Sequence, residues 1–230
     1  MVLAAGRGER MRPLSDHTPK PLLEVAGLPL IVWQIQALQR AGFERLVINH
    51  AWLGEQLTAA LGDGRALGVQ ITWSPEPQAL GTAGGICKAL PLLASDTFVV
   101  VSADIHTDFD YTQLHPAARR LAHADLTAGE DAHLVLVDDQ RVKQDFDLQG
   151  ERVCPSANPP LTYGNIGVFR SRLFDGQTTG VTADLGERLR AAVAAGQVSG
   201  QRHTGHWDNV GTPTDLARVN AGHKTPSKLS

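Results

Sequence analysis

Short, wholly apolar runs alternate with stretches of helical periodicity along more than half of this 230-residue chain. Residues 1–5 read as a strand that has lost its beginning. Residues 46–49 and 97–102, the second centred on Phe98-Val99-Val100-Val101, are apolar at nearly every position, the mark of parallel strands covered on both faces. Between them the period lengthens. Gly27-Leu28-Pro29 opens a helix with the stripe Leu30, Ile31, Ile35 and Leu38, and Ala41-Gly42 closes it. A helix over 54–61 ends at Gly62, a strand follows over 69–73, and a Pro- and Gly-rich loop over 74–85 leads into a helix over 83–93 with Pro91 near its end. A helix over 111–122 and a strand over 133–137 complete the alternation. This order predicts a single α/β domain, Rossmann-like, with a mostly parallel, mixed central sheet and helices on both faces.

After Asp138 the rhythm breaks. Residues 142–148, Gly150 and Arg152-Val153 predict a smaller antiparallel portion, and the loop through Pro155, Pro159 and Pro160 is a candidate lid. A strand over 163–169, a helix over 184–195, a strand over 198–203 and a helix over 213–220 follow. The predicted domain covers 1–222, and 223–230 is a polar tail that frays.

Composition and charge narrow the partners. The formal net charge of −3 argues against a general nucleic-acid surface, so any anion site is local. Cys87 and Cys154 make neither a disulfide framework nor a metal-ligand spacing. No apolar run approaches the roughly 18 residues of a membrane span, and the apolar start is too short for a signal peptide. These features predict a cytoplasmic protein with no membrane or nucleic-acid partner, and they leave the oligomeric state open between monomer and homodimer.

The candidate chemistry begins where the first strand ends. In the stretch Leu3-Ala4-Ala5-Gly6-Arg7-Gly8-Glu9-Arg10-Met11-Arg12, Gly6 and Gly8 let backbone N–H groups approach an anion, and Arg7, Arg10, Arg12 and Lys20 supply positive charge. A dinucleotide fingerprint requires a third glycine, where Met11 stands, and an acidic residue about 20 positions on; a nicotinamide dehydrogenase is therefore disfavoured. A triphosphate with its metal suits the loop better. Asp104 closes the most apolar strand at its carboxyl end, where open α/β sheets bind ligands, and Asp208 follows Trp207 at another predicted strand end. His50, His106, His203 and His206 lack helical ligand spacing, and the tryptophans read as packing groups.

Together the glycine loop, Pro19-Lys20-Pro21, Leu80-Gly81-Thr82-Ala83-Gly84-Gly85, Ala103-Asp104 and Trp207-x-x-Val210-Gly211-Thr212-Pro213 resemble the sugar-1-phosphate nucleotidylyltransferases over essentially the whole chain. The compact length and His50-Ala51-Trp52-Leu53-Gly54 are similar to bacterial N-acetylmuramate α-1-phosphate uridylyltransferases of cell-wall recycling. The resemblance implies an NTP, UTP favoured, and a sugar 1-phosphate as substrates, with Mg²⁺ held by Asp104 and Asp208. It implies that Lys20 contacts the reacting phosphates and Arg12 the departing pyrophosphate. Leu3, Ala5, Gly6, Gly8, Glu76, Gly81 and Thr82 are then nucleotide contacts, with Glu76 as acceptor for the base, and Gly164, Asn165 and His106 sugar contacts. A carboxylate accepts from uracil and guanine alike, and Gly81 is a pattern shared with mannose- and heptose-1-phosphate guanylyltransferases, so GTP stays open. For a lactyl carboxylate on the sugar, Lys143 and Arg152 are the candidate partners. A non-catalytic nucleotide-sugar sensor of the same fold is disfavoured because the charges are present.

Overall fold

The computed structural model describes residues 1–123 and 129–223. The chain enters on β1 (Val2–Leu3) and passes through three 3-10 turns to a ribbon of β2 (Glu24–Val25) and β3 (Leu28–Pro29). It continues through α1 (Leu30–Arg40), β4 (Arg45–His50), α2 (Gly54–Leu61), β5 (Gln70–Pro75), α3 (Gly81–Leu93), β6 (Thr97–Ser102), β7 (Ile105–Thr107) and α4 (Leu114–His123). The second half comprises β8 (Ala132–Val137), β9 (Asp147–Gln149), β10 (Arg152–Cys154), β11 (Thr162–Arg170), α5 (Leu185–Ala194), β12 (Val198–His203), β13 (Trp207–Asn209) and α6 (Pro213–Gly222). Nine strands form one mixed sheet in the order β5-β4-β1-β6-β11-β8-β12-β10-β9. The first four are mutually parallel; β11 runs antiparallel to both neighbours, β12 returns parallel to β8, and β9–β10 form an antiparallel edge.

The apolar runs are buried from both sides because successive side chains alternate across the sheet. On one face Leu46, Ile48, Val99 and Val101 meet Ile31, Ile35 and Leu38 of α1, Leu57 of α2, and Leu114 and Leu121 of α4. On the other, Val47, Val100, Leu134 and Leu136 meet Ala83 and Ile86 of α3 and Leu185, Leu189 and Val193 of α5. The parallel strands therefore end together, which brings the residues after β1, β4 and β6 to one edge.

Three predicted elements are displaced: the edge strand expected from 142 begins only at β9, the helix expected from 111 opens with a 3-10 turn before α4, and the first helix starts late. Gly27-Leu28-Pro29 does not open α1: Ala26 and Gly27 both adopt positive φ (51° and 78°), the demand of a tight hairpin turn, so Leu28–Pro29 pairs back on Glu24–Val25. The helix starts one residue later. Of the predicted tail, 223–230, His223 is described and bonds His106 at 3.1 Å, and 224–230 lie outside the described residues. No helix among the described residues is long and apolar enough to cross a membrane.

Ile48 is fully buried on β4, between β5 and β1. Ile48→Ala is expected to destabilise the protein by about 2–5 kcal/mol, read as a lower urea midpoint; an unchanged midpoint would contradict the two-sided burial. His133, buried beside Arg120, Ser199 and Gln201, has its imidazole pKa pushed down chiefly by burial. An unfolded histidine takes up a proton as pH falls through about 6.5, and the folded one resists, so stability declines on acidification. His133→Gln is expected to flatten the decline of the urea midpoint between pH 7.5 and 5, and an equally steep decline would count against it.

Candidate active site

The glycine loop leaves β1 at the edge where the parallel strands end. Gly8 needs its left-handed φ of 67° to turn the chain into the first 3-10 turn, and Ser15 Oγ donates to its carbonyl at 2.7 Å. Gly6 faces open space. Arg7 is not aimed at a ligand: its guanidinium lies 3.7 Å over the Trp52 ring and donates to the Ser15 carbonyl and to Asp16, both at 2.9 Å. Trp52 donates to the same carbonyl at 3.0 Å. Arg7 and Trp52 thus buttress the loop from behind, a cation–π contact the sequence did not reveal. The Arg7 hydrogen bond, with Arg12 alongside, holds the Asp16 carboxyl below its usual range.

The loop faces a cavity of about 220 Å³ lined by Leu3, Ala5, Gly6, Lys20, Gly81, Thr82 and Asp104, together with Asn49 and Ser102. Seven expected contacts from four separate stretches of the chain therefore converge. Lys20 and Asp104 form an ion pair across the cavity wall, with side chains 11% and 27% exposed. Arg12 stands outside, 59% exposed and paired with Asp16 at 3.0 Å.

Glu76 is also absent from this lining, and its bonding explains why. One carboxylate oxygen accepts from Asn49 Nδ2 at 2.7 Å, the other from the Leu80 N–H at 2.9 Å, and the residue is 5% exposed. Asn49 Oδ1 in turn accepts from the Ala4 N–H at 2.9 Å. The chain Ala4–Asn49–Glu76–Leu80 ties the glycine loop to the loop before α3. Gly85 makes room for it, since a Cβ there would stand 2.7 Å from both Asn49 Nδ2 and Glu76 Oε1. The first turn of α3 is strapped from the other side: Ala183 O accepts from Ala83 and Gly84 N–H at 3.1 and 3.3 Å. A Cβ on Gly81, whose φ is +70°, would lie 2.6 Å from that oxygen.

A second cavity, about 330 Å³, shares Thr82 with the first and is lined by Asp145, Thr162, Tyr163, Asn165 and the first turns of α5. Asn165 sits at φ +57°, where β11 changes register against β8 between Tyr163 and Gly167. Such an irregularity re-aims side chains near binding sites. Gly164 supports the wall, its carbonyl accepting from Trp207 Nε1 at 2.9 Å.

β7 and β13 form a separate two-stranded ribbon directly after Asp104, closed by Val210 N–H donating to the Asp104 carbonyl at 2.9 Å. Asp208 pairs in register with His106. Its buried carboxylate is held by Arg218 at 2.5 Å and Arg141 at 2.8 Å, with His206 at 3.5 Å. Asp208 and Asp104 line different cavities. His106, buried and bridging His206 at 3.0 Å and His223 at 3.1 Å, lies away from the Asn165 cavity, in a third space of about 670 Å³ beside Trp33 and Arg40. Burial and the neighbouring imidazoles push its pKa down to about 4.

Among the described residues, no group of three or more His, Cys, Asp or Glu is arranged to hold a metal. Mg²⁺ asks for less, one or two carboxylates besides phosphate oxygens. Asp104, ion-paired with Lys20 through one oxygen, faces the cavity and can meet that need. Asn209, next to Asp208, has a buried Oδ1 with no hydrogen-bond partner, but it lines the cavity of Asp208, Arg141 and Arg218 and not that of Asp104. Asn49 and Asn209 are the polar residues sequence reasoning passed over; each interrupts an apolar or aromatic strand end.

The chain's residues 1–147 match the model of the nucleotidyl transferase family. It is 48% identical over 227 residues to N-acetylmuramate alpha-1-phosphate uridylyltransferase of Neisseria meningitidis, covering 96% of each chain. It is 32% identical over 231 residues to mannose-1-phosphate guanylyltransferase of Mycobacterium tuberculosis, covering 96% of this chain and 63% of that one. The fold matches a putative glucose-1-phosphate thymidylyltransferase of Bacillus anthracis with a TM-score of 0.84 at 19% identity, over 100% of this chain and 96% of the other. The chain belongs to the nucleotidyl transferase family.

Asn49→Ala strips a partner from both Ala4 N–H and Glu76. Leaving such buried groups unpaired costs about 1–3 kcal/mol each, so the nucleotide KM is expected to rise about tenfold or more while the fold survives. Steady-state kinetics read this; an unchanged KM would show that the brace does not shape the site.

Proposed function

We propose that the protein transfers the uridylyl group of UTP to N-acetylmuramic acid α-1-phosphate, releasing pyrophosphate, as a cytoplasmic step of cell-wall recycling. The observation that carries the reading is the 48% identity to the Neisseria uridylyltransferase over 96% of both chains. The convergence of the glycine loop, Lys20, Thr82 and Asp104 on one cavity supports it.

In this reading the sugar phosphate is already an anionic nucleophile. Its oxygen bonds to the α-phosphorus as the bond to the pyrophosphate oxygen breaks, and the site's task is alignment and charge neutralisation rather than proton abstraction. Gly6 and Gly8 admit the triphosphate to backbone distance, and Gly81 and Thr82 border the base. Lys20, dehydrated beside Asp104, places a positive charge where the phosphoryl oxygens gather. Arg12 is available to the leaving pyrophosphate because its exposed pair with Asp16 is weak. Asn165 and Gly164 form the sugar wall. Asp104 would hold Mg²⁺ together with phosphate oxygens, and the bound ion would neutralise phosphate charge; Asp208 would join it only on release from Arg141 and Arg218. Glu76 positions the base loop instead of contacting the base.

The Mycobacterium guanylyltransferase relative makes GTP with mannose 1-phosphate the competing reading. Pyrophosphate release measured with each of four NTPs against muramate, glucosamine, mannose and heptose 1-phosphates separates the two. UTP with the muramate derivative is expected to give the highest kcat/KM, and absence of UTP turnover would overturn the proposal. Asp104→Asn and Lys20→Ala are each expected to lower kcat by about a hundredfold or more with circular dichroism unchanged; near-normal kcat would remove these residues from the site.

A further inference from the structure

The cavity beside Asn165 is lined by one cation, Arg190, and two carboxylates, Asp145 and Asp184. Arg190 of α5 lines it together with Asn165, Tyr163 and Thr82. Among the described residues Arg190 makes no hydrogen bond or ion pair. The two acidic residues on the same lining keep their charge and accept from neutral donors within the fold. Asp184 Oδ1 caps α5, accepting from Gly186 and Glu187 N–H at 2.7 and 3.3 Å. Asp145 accepts from Thr162 Oγ1 at 2.9 Å.

The position of the guanidinium is built. A helical side chain leans toward the N-terminus of its helix, and Arg190 lies back over Gly186, one turn earlier. A Cβ at position 186 would stand 2.9 Å from Asp184 Oδ1 and 3.2 Å from Arg190 Nη1, so the guanidinium lies near that carboxylate without forming an ion pair with it. Glycine there leaves space for the planar fork to lie along the first turn of α5, at the mouth of the cavity. The cations expected from sequence do not reach this place: neither Lys143 nor Arg152 lines the cavity, and the Arg152 guanidinium packs against Gly196.

Resting on the proposed sugar substrate, we infer that Arg190 reads the carboxylate of the sugar's lactyl ether and so determines which hexose 1-phosphate is accepted. An unpaired guanidinium offers two parallel N–H donors to a carboxylate, and arginine does this with a geometry that lysine cannot copy. Asn165, with both donor and acceptor functions, meets hydroxyl or acetamido groups from the β11 wall. A sugar lacking the carboxylate would leave Arg190 as it stands now, solvated, and so loses the added recognition without a buried-charge cost.

The test compares N-acetylmuramic acid 1-phosphate with N-acetylglucosamine 1-phosphate, which lacks only the lactyl group, at saturating UTP. In Arg190→Ala, kcat/KM for the muramate substrate is expected to fall about tenfold to a hundredfold, mainly through KM, with the glucosamine substrate changed less than about threefold. Arg190→Lys recovers part of the loss. An equal fall for both sugars, or no fall for either, overturns the assignment of Arg190 while leaving the uridylyltransferase reading in place. Wild-type protein that ignores the muramate substrate overturns the substrate reading and this inference together.

Discussion

The site depends on one short polar chain running through an apolar sheet edge: Ala4 N–H to Asn49, Asn49 to Glu76, Glu76 to Leu80 N–H. Each group is buried and therefore costly to leave unpaired. The glycine loop after β1 and the loop before α3 come from opposite sides of β4, and neither has regular structure to hold it. The brace converts them into two walls of one cavity. Its presence also accounts for Gly85, whose missing side chain is the space in which Asn49 and Glu76 meet.

Around this brace the charges divide into those that support and those that face the cavity. Arg7 is committed to Trp52 and Asp16, and Arg141 and Arg218 to Asp208. Lys20, Asp104 and Arg190 remain at cavity walls. A cluster of arginines in sequence therefore overstates the charge available to a phosphate, because several are bound within the fold. The ribbon after Asp104 adds a second division. Alternation along β13 sends Asp208 toward Arg218 and His206, while neighbouring Asn209 keeps a buried oxygen without a partner.

Much of the architecture was legible. The helix at 54–61 and the strands at 97–102 and 198–203 stand as predicted, because two-sided burial and glycine stops leave few alternatives. The hairpin at Ala26-Gly27 was missed because Pro29 suits a helix start as well as a strand end. For the site, motif residues such as Gly6 and Thr82 line one cavity with Lys20 and Asp104, as the motifs led one to expect. The directions of long polar side chains could not be read from sequence. Glu76 bonds inward to Asn49, Asp208 to two arginines and His106 to other imidazoles, all through partners remote in sequence.

The most direct measurement is a crystal structure of the protein with Mg²⁺ and a non-hydrolysable UTP analogue. The triphosphate is expected over Gly6 and Gly8, its α-phosphate beside Lys20 and Asp104, and uracil against Gly81 and Thr82 with Glu76 still bonded to Asn49. Nucleotide bound instead between Trp33 and His223, with the glycine-loop cavity empty, would contradict the placement of the reaction at this edge of the sheet.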